Sequence, residues 1–160
     1  METNRAPVVV IGLGNILLAD DGIGVHAINK LFNEHIENVE FVEGGTLGIN
    51  LLNVLEDREL VIAIDAVKGN QPPGTVYKFR YDEIYKYYAN NTMSLHQLDF
   101  VKALEIGSFL DKTLPEITII GVEPKRIELD MNLSNCVKSQ LPKIIQLVKD
   151  EIHVSLENFS

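Results

Sequence analysis

Carboxylates recur in this sequence wherever a strand-like run gives way to a loop. The stretch VIGLGNILLADDGIG, Val10 to Gly24, turns at Gly12-Leu13-Gly14-Asn15 and then presents Asp20 and Asp21 side by side. Further along, Glu43 precedes Gly44-Gly45-Thr46, Asp65 closes the apolar run Leu60 to Ile64, and Glu123 precedes Pro124. In a parallel α/β sheet, ligands bind beyond the carboxyl ends of the strands, so these acids are predicted to converge on one edge. His96 adds a nitrogen donor. Ser94-Leu95-His96-Gln97 fits a capping box, which puts His96 in the first turn of a helix, where the dipole disfavours imidazolium and keeps the ring neutral, as a metal ligand must be. One aspartate of the Asp20-Asp21 pair, Asp65 and His96 make an N/O donor set suited to Zn, Ni, Mn or Fe, with coordination positions left open.

Each residue also has a plainer reading. Asp20 or Asp21 can cap the helix that carries Val25 to His35. Two adjacent carboxylates need only one cap, so the second is expected to be free, with Gly22 and Gly24 letting backbone pass close to what it faces. Asp65 can simply start a turn. A nucleotide-binding module is disfavoured, because Leu17 stands where a third phosphate-cradling glycine belongs and phosphate repels the paired aspartates. The H-E-x-x-H and G-x-S-x-G motifs are absent, and Cys136 is predicted to lie in a helix without a neighbouring base. His26, His35 and His153 are read as solvated or packed.

The elements that must position these residues read as an α/β domain. APVVVIGL, VEFVE, ELVIAID and EITIIGV are short, rich in Val and Ile, and bounded by Gly, Asp or Pro, as strands buried on both faces are. Ile28, Leu31, Phe32 and Ile36 have helical spacing, as do Ile49, Leu52 and Leu55, and Leu98, Val101 and Leu104. Val137, Leu141, Ile144, Ile145, Val148 and Ile152 define a last helix with Ser134 as its N-cap, bent or started late by Pro142. GTVYKF follows ELVIAID too closely for a parallel crossover and is predicted to be an antiparallel edge strand. The expectation is a mixed, mostly parallel, twisted sheet of about five strands, flanked by helices on both faces, in a single domain over 1–160. Tyr81, Tyr85, Tyr87 and Tyr88 are read as edge packing.

Composition narrows the partners. The 160 residues are 46% hydrophobic, enough for a real core, and 23 acidic against 14 basic residues give a net charge of −9. That charge disfavours nucleic acid and anionic membranes, which are gripped by Lys and Arg clusters. The N-terminal apolar run is too short and too broken for a membrane span or a secretion signal, and a lone cysteine fits a reducing compartment. A cytoplasmic location is expected.

Taken in order, GLGNILLADDGIG, GGTLG, AIDAV and SLHQLD resemble the [NiFe]-hydrogenase maturation endopeptidases, with a likeness from about Val8 to Val122 that continues more faintly through IGVEP and the last helix. The resemblance implies removal of a C-terminal peptide from the hydrogenase large-subunit precursor after nickel insertion. It implies that Asp21, where many members carry Glu, Asp65 and His96 are the metal ligands and catalytic residues, with nickel arriving in the precursor and zinc or cadmium able to occupy the site in vitro. Glu43, Gly44, Gly45 and Thr46 would face substrate, Glu43 standing where aspartate is common. A free Asp20 would be the nearest carboxylate to activate water. The alternatives are a non-catalytic nickel-handling or sensing partner of hydrogenase assembly and, from the GLGN turn alone, a peptidyl-tRNA hydrolase, which the acidic charge opposes.

Overall fold

The computed structural model describes residues 5–45, 50–80, 83, 101, 102, 104–107, 110 and 114–159. His96 with its capping box, Thr46, Ile49, Leu98, Tyr81, Tyr85, Tyr87 and Tyr88 lie outside the described residues.

The strands are β1 (Val8–Gly12), β2 (Val39–Glu43), β3 (Leu60–Ala66), β4 (Val76–Arg80) and β5 (Glu116–Val122), ordered β2-β1-β3-β5-β4 in one sheet. β1 pairs in parallel with β2 and β3, and β3 with β5. β4 runs antiparallel to β5 at the edge, as its short connection to β3 requires. Every residue of β1 and β3 is buried, which is why both read as continuous apolar runs. VEFVE departs from the expectation: β2 forms the other edge and has no fully buried residue. Its exposed Glu40 pairs instead with Arg58 at 2.5 Å.

Alternation along the strands divides the core into two layers. Val8, Val10, Ile62, Ile64, Ile120 and Val122 meet α1 (Ile23–Leu31), α3 (Asn135–Lys138) and α4 (Leu141–Phe159) on one face. Val9, Ile11, Val61, Ala63, Ile117 and Ile119 meet α2 (Leu51–Leu55) and the helical residues Val101 and Leu104 on the other. Helices therefore cover both faces, each by an apolar stripe against a pleated surface. Phe32 falls beyond the end of α1 and is 51% exposed, so only part of the helical spacing read from the sequence is used for burial. Pro142, second residue of α4, starts that helix late, in the turn where its missing N–H costs nothing.

One buried carboxylate ties α4 to the edge strand. Glu151 accepts a hydrogen bond from Thr118 Oγ1 of β5 at 3.0 Å and pairs with Lys78 Nζ of β4 at 2.8 Å. Burial alone pushes its pKa up, but the bonds from Lys78 and Thr118 and the charges of Lys78 and Arg80 outweigh this and hold it below the ordinary value.

The first helix reaches the carboxyl edge by a close backbone approach at Gly24. A Cβ there would lie 2.4 Å from the carbonyl oxygens of both Leu13 and Ile64, the ends of the two central strands. Gly24→Ala is therefore expected to push α1 off the sheet and lower stability by roughly 1–3 kcal/mol, seen as a lower urea midpoint with an unchanged m-value.

Candidate functional site

Three chain segments meet at the carboxyl ends of β1, β2 and β3. Leu13 N–H donates to Ile64 O at 2.9 Å and Gly44 N–H to Gly12 O at 2.8 Å, so the loop after β1 is tied to β3 and the loop after β2 to β1. The first of these loops closes on itself. Gly14 adopts φ +104°, and a Cβ there would stand 2.0 Å from Asp21 O, so only glycine lets the chain double back this tightly. Asn15 N–H then donates to Asp21 Oδ2 at 2.9 Å, Leu17 N–H to Asn15 Oδ1 at 2.9 Å, and Asp21 N–H to Leu18 O at 3.1 Å. In a loop whose amides would cradle a phosphate in a dinucleotide fold, the Asn15 amide here orients a carboxylate.

Asp21 is 3% exposed and Asp65 is fully buried. Asp65 Oδ1 accepts the N–H of Ala66 at 2.9 Å, and its backbone pairs with Gly121 in the centre of the sheet. Ile64, the residue before it, pairs with Gly12, so Asp65 follows the loop that turns back to Asp21. The 3-10 turn Ala19–Gly22 that carries Asp21 packs against β3. The two carboxylates thus occupy adjoining segments at one edge. Glu43 is exposed, Gly44 buried and Gly45 half-buried beside Gly14. Among the described residues no group of three or more His, Cys, Asp and Glu side chains is close enough to hold a metal ion. Two carboxylates are an oxygen donor set that fits a divalent metal but does not complete its coordination.

Asp20 corrects the expectation of a free carboxylate. Neither aspartate caps α1, whose N-cap position is Gly22 and has no side-chain cap. Asp20 is fully buried, and its carboxylate accepts bonds from the backbone N–H groups of Lys125, Arg126 and Ser134 at 2.9, 2.9 and 2.7 Å and from Ser134 Oγ at 2.7 Å. The Ser134 hydroxyl stands at the N-cap position of α3 but is spent on Asp20. Burial is the largest single influence on the Asp20 carboxyl and raises its pKa, yet the Ser134, Arg126 and Lys125 bonds together bring it below the ordinary value. Such a group is a structural clamp, its oxygens already taken up by four donors.

Glu123 is committed in a similar way. Its Oε1 accepts Gly69 N–H at 2.9 Å, Gln71 N–H at 3.0 Å and Tyr77 Oη–H at 2.8 Å, pinning the short connection that carries the chain from β3 past β5 to β4. Sequence spacing carries no signal for the partners of Asp20, which lie 105 to 114 residues away, or for those of Glu123, 46 to 54 residues away. His26 is packed, as expected. Burial lowers its pKa, as does the charge of Lys30, against a hydrogen bond with the Met131 backbone. His153 is exposed and pairs with Glu157 at 3.2 Å on the surface of α4.

A family model described as hydrogenase maturation protease matches residues 25–151. The chain belongs to the hydrogenase maturation protease family. Among its relatives, the hydrogenase expression/formation protein HupD of Thiocapsa roseopersicina is 33% identical over 152 residues, covering 94% of this chain and 66% of HupD. The chain thus spans about two thirds of the length of that relative. The hydrogenase 2 maturation protease of Escherichia coli K12 is 31% identical and matches 88% of this chain and 87% of its own length. The solved structure of the hydrogenase maturating endopeptidase HybD of E. coli superposes with a TM-score of 0.85 at 30% identity, covering 92% of this chain and 93% of HybD. The maturation protease fold is therefore present over most of the chain.

Removing the clamp strands three backbone donors. Asp20→Ala is expected to cost about 3 kcal/mol or more of stability, read from urea unfolding. Because the folded pKa of Asp20 is lowered, the unfolded chain takes up the proton first. Its contribution to stability is full above about pH 5 and is lost as the pH falls through about 4 and then through the lower folded value. Asp20→Asn should accordingly show a flatter decline of the urea midpoint with acid than the wild type, and equal slopes would contradict the clamp.

Proposed function

We propose that this protein is an endopeptidase that removes the C-terminal peptide of a [NiFe]-hydrogenase large-subunit precursor once nickel has been inserted. Asp21, Asp65 and His96 recognise the nickel held by that precursor. The observation that carries the reading is the convergence of Asp21 and Asp65 on adjoining segments at the carboxyl edge of a maturation protease fold. SLHQLD supplies the third donor by its likeness to the family.

In this reading the metal belongs to the substrate. Nickel bound between precursor and peptidase fixes the scissile peptide relative to the enzyme, converting a bimolecular encounter into a positioned reaction. Asp21 is held by Asn15 N–H before any metal arrives, so little reorganisation is needed to present its oxygens. The loop Glu43 to Thr46 faces the precursor, and its two glycines let the chain pass close. Zinc or cadmium takes the same donors in vitro. The protein works in the cytoplasm, where a net charge of −9 keeps it from nucleic acid and anionic lipid, and among the described residues no helix is long and apolar enough to cross a membrane.

Cleavage of purified nickel-loaded precursor tests the reading. Asp21→Ala, Asp65→Ala and His96→Ala should each lose activity at least about a hundredfold while retaining the wild-type circular dichroism, and Asp21→Glu should keep measurable cleavage because it remains an oxygen donor. Undiminished cleavage by Asp21→Ala and Asp65→Ala would overturn the assignment.

A further inference from the structure

The segment after β5 presents apolar side chains that the fold does not use. Among the described residues seven large hydrophobic side chains are exposed, and four of them, Leu17, Ile127, Leu129 and Met131, lie on two segments bonded to one another. Asp130 N–H donates to Leu17 O at 3.0 Å and Ala19 N–H to Asp130 O at 2.6 Å, forming an isolated bridge between Leu18 and Asp130. Leu129 is 85% exposed and Met131 59%. The charges that alternate with them are drawn together by Arg126, whose Nε stands 3.4 Å from Glu128 and whose Nη2 stands 3.2 Å from Asp130. The apolar groups are left outermost on a segment whose charges are paired with one another.

We propose that Leu17, Ile127, Leu129 and Met131 form a ridge on which the large-subunit precursor docks. The inference rests on the peptidase reading above. Two observations favour the precursor over a second copy of this chain. Leu17 is continuous with the turn that carries Asp20 and Asp21, and the clamp of Asp20 on Lys125, Arg126 and Ser134 fixes the ridge to that turn. A protein seated on the ridge is thereby registered against Asp21. Pairing two copies through the ridge would bring together two chains of net charge −9. Exposed apolar patches of this kind mark interaction sites, and a central aliphatic anchor carries a disproportionate share of the binding.

The test measures cleavage of nickel-loaded precursor over a range of concentrations by the wild type, Leu129→Asp, Leu129→Ser and, as a control, Val154→Asp, which alters a 55% exposed residue of α4. The ridge predicts a rise in KM of about tenfold or more for Leu129→Asp, a smaller rise for Leu129→Ser, little change in kcat, and wild-type constants for Val154→Asp. Unfolding midpoints should match, since Leu129 packs against little. If the wild type cleaves and Leu129→Asp does so with unchanged KM, the ridge is not the docking surface and the peptidase reading stands. A wild-type dimer in sedimentation that Leu129→Asp dissolves would assign the ridge to self-association and overturn the inference. If the wild type neither binds nor cleaves nickel-loaded precursor, the peptidase reading falls and the docking surface with it.

Discussion

The candidate site depends on one buried carboxylate whose oxygens are taken up by the fold itself. Asp20 gathers three backbone N–H groups and a hydroxyl from the segment after β5, and by doing so locks that segment onto the turn after β1. A charged group in so dry a position is tolerable because each donor repays part of its lost hydration, and bonds to an ionised acceptor are stronger than neutral ones. The same bonds hold the 3-10 turn rigid, and the next residue along that turn is Asp21. Orientation of Asp21 is inherited from a clamp on its neighbour.

Apart from the exposed Glu43, the acids at the carboxyl edge therefore divide into two kinds. Asp20 and Glu123 accept bonds from loops that the topology would otherwise leave loose: the long segment from β5 to α3, and the short link that passes β5 on its way to the antiparallel edge. Asp21 and Asp65 are buried beside tight backbone turns, each oriented by a neighbouring amide. This division resolves the apparent excess of carboxylates. Rigid support for the turn that carries Asp21 is worth the burial of two further charges, because a side chain placed loosely positions poorly what it meets.

Much of this was legible in the sequence. The fully buried strands β1 and β3, and β5 after its exposed first residue, announce themselves as Val- and Ile-rich runs, and the nine residues between β3 and β4 forbid a parallel crossover. Pro142 marked the start of the last helix. VEFVE misled because an edge strand and a central one share β-branched composition, and only pairing tells them apart. Phe32 kept the helical spacing beyond the point where α1 ends. At the site, the ordered motifs singled out Asp21 and Asp65, but the roles of Asp20 and Glu123 were not legible. Their partners are backbone amides, which every residue supplies, so no side-chain pattern records which segment will be brought against them. The ridge of Leu129 and Met131 was equally silent, since an apolar residue in a loop signals nothing until its exposure is known.

The most direct test of the account looks at the nickel. X-ray absorption at the nickel edge, recorded on loaded precursor alone and in complex with the wild type or with an Asp21→Ala/Asp65→Ala double variant, reads the metal's ligands without depending on turnover. The account predicts that binding of the wild type adds oxygen or nitrogen ligands to the nickel and that binding of the double variant adds none or fewer. A nickel coordination shell unchanged by the wild type in a formed complex would contradict it.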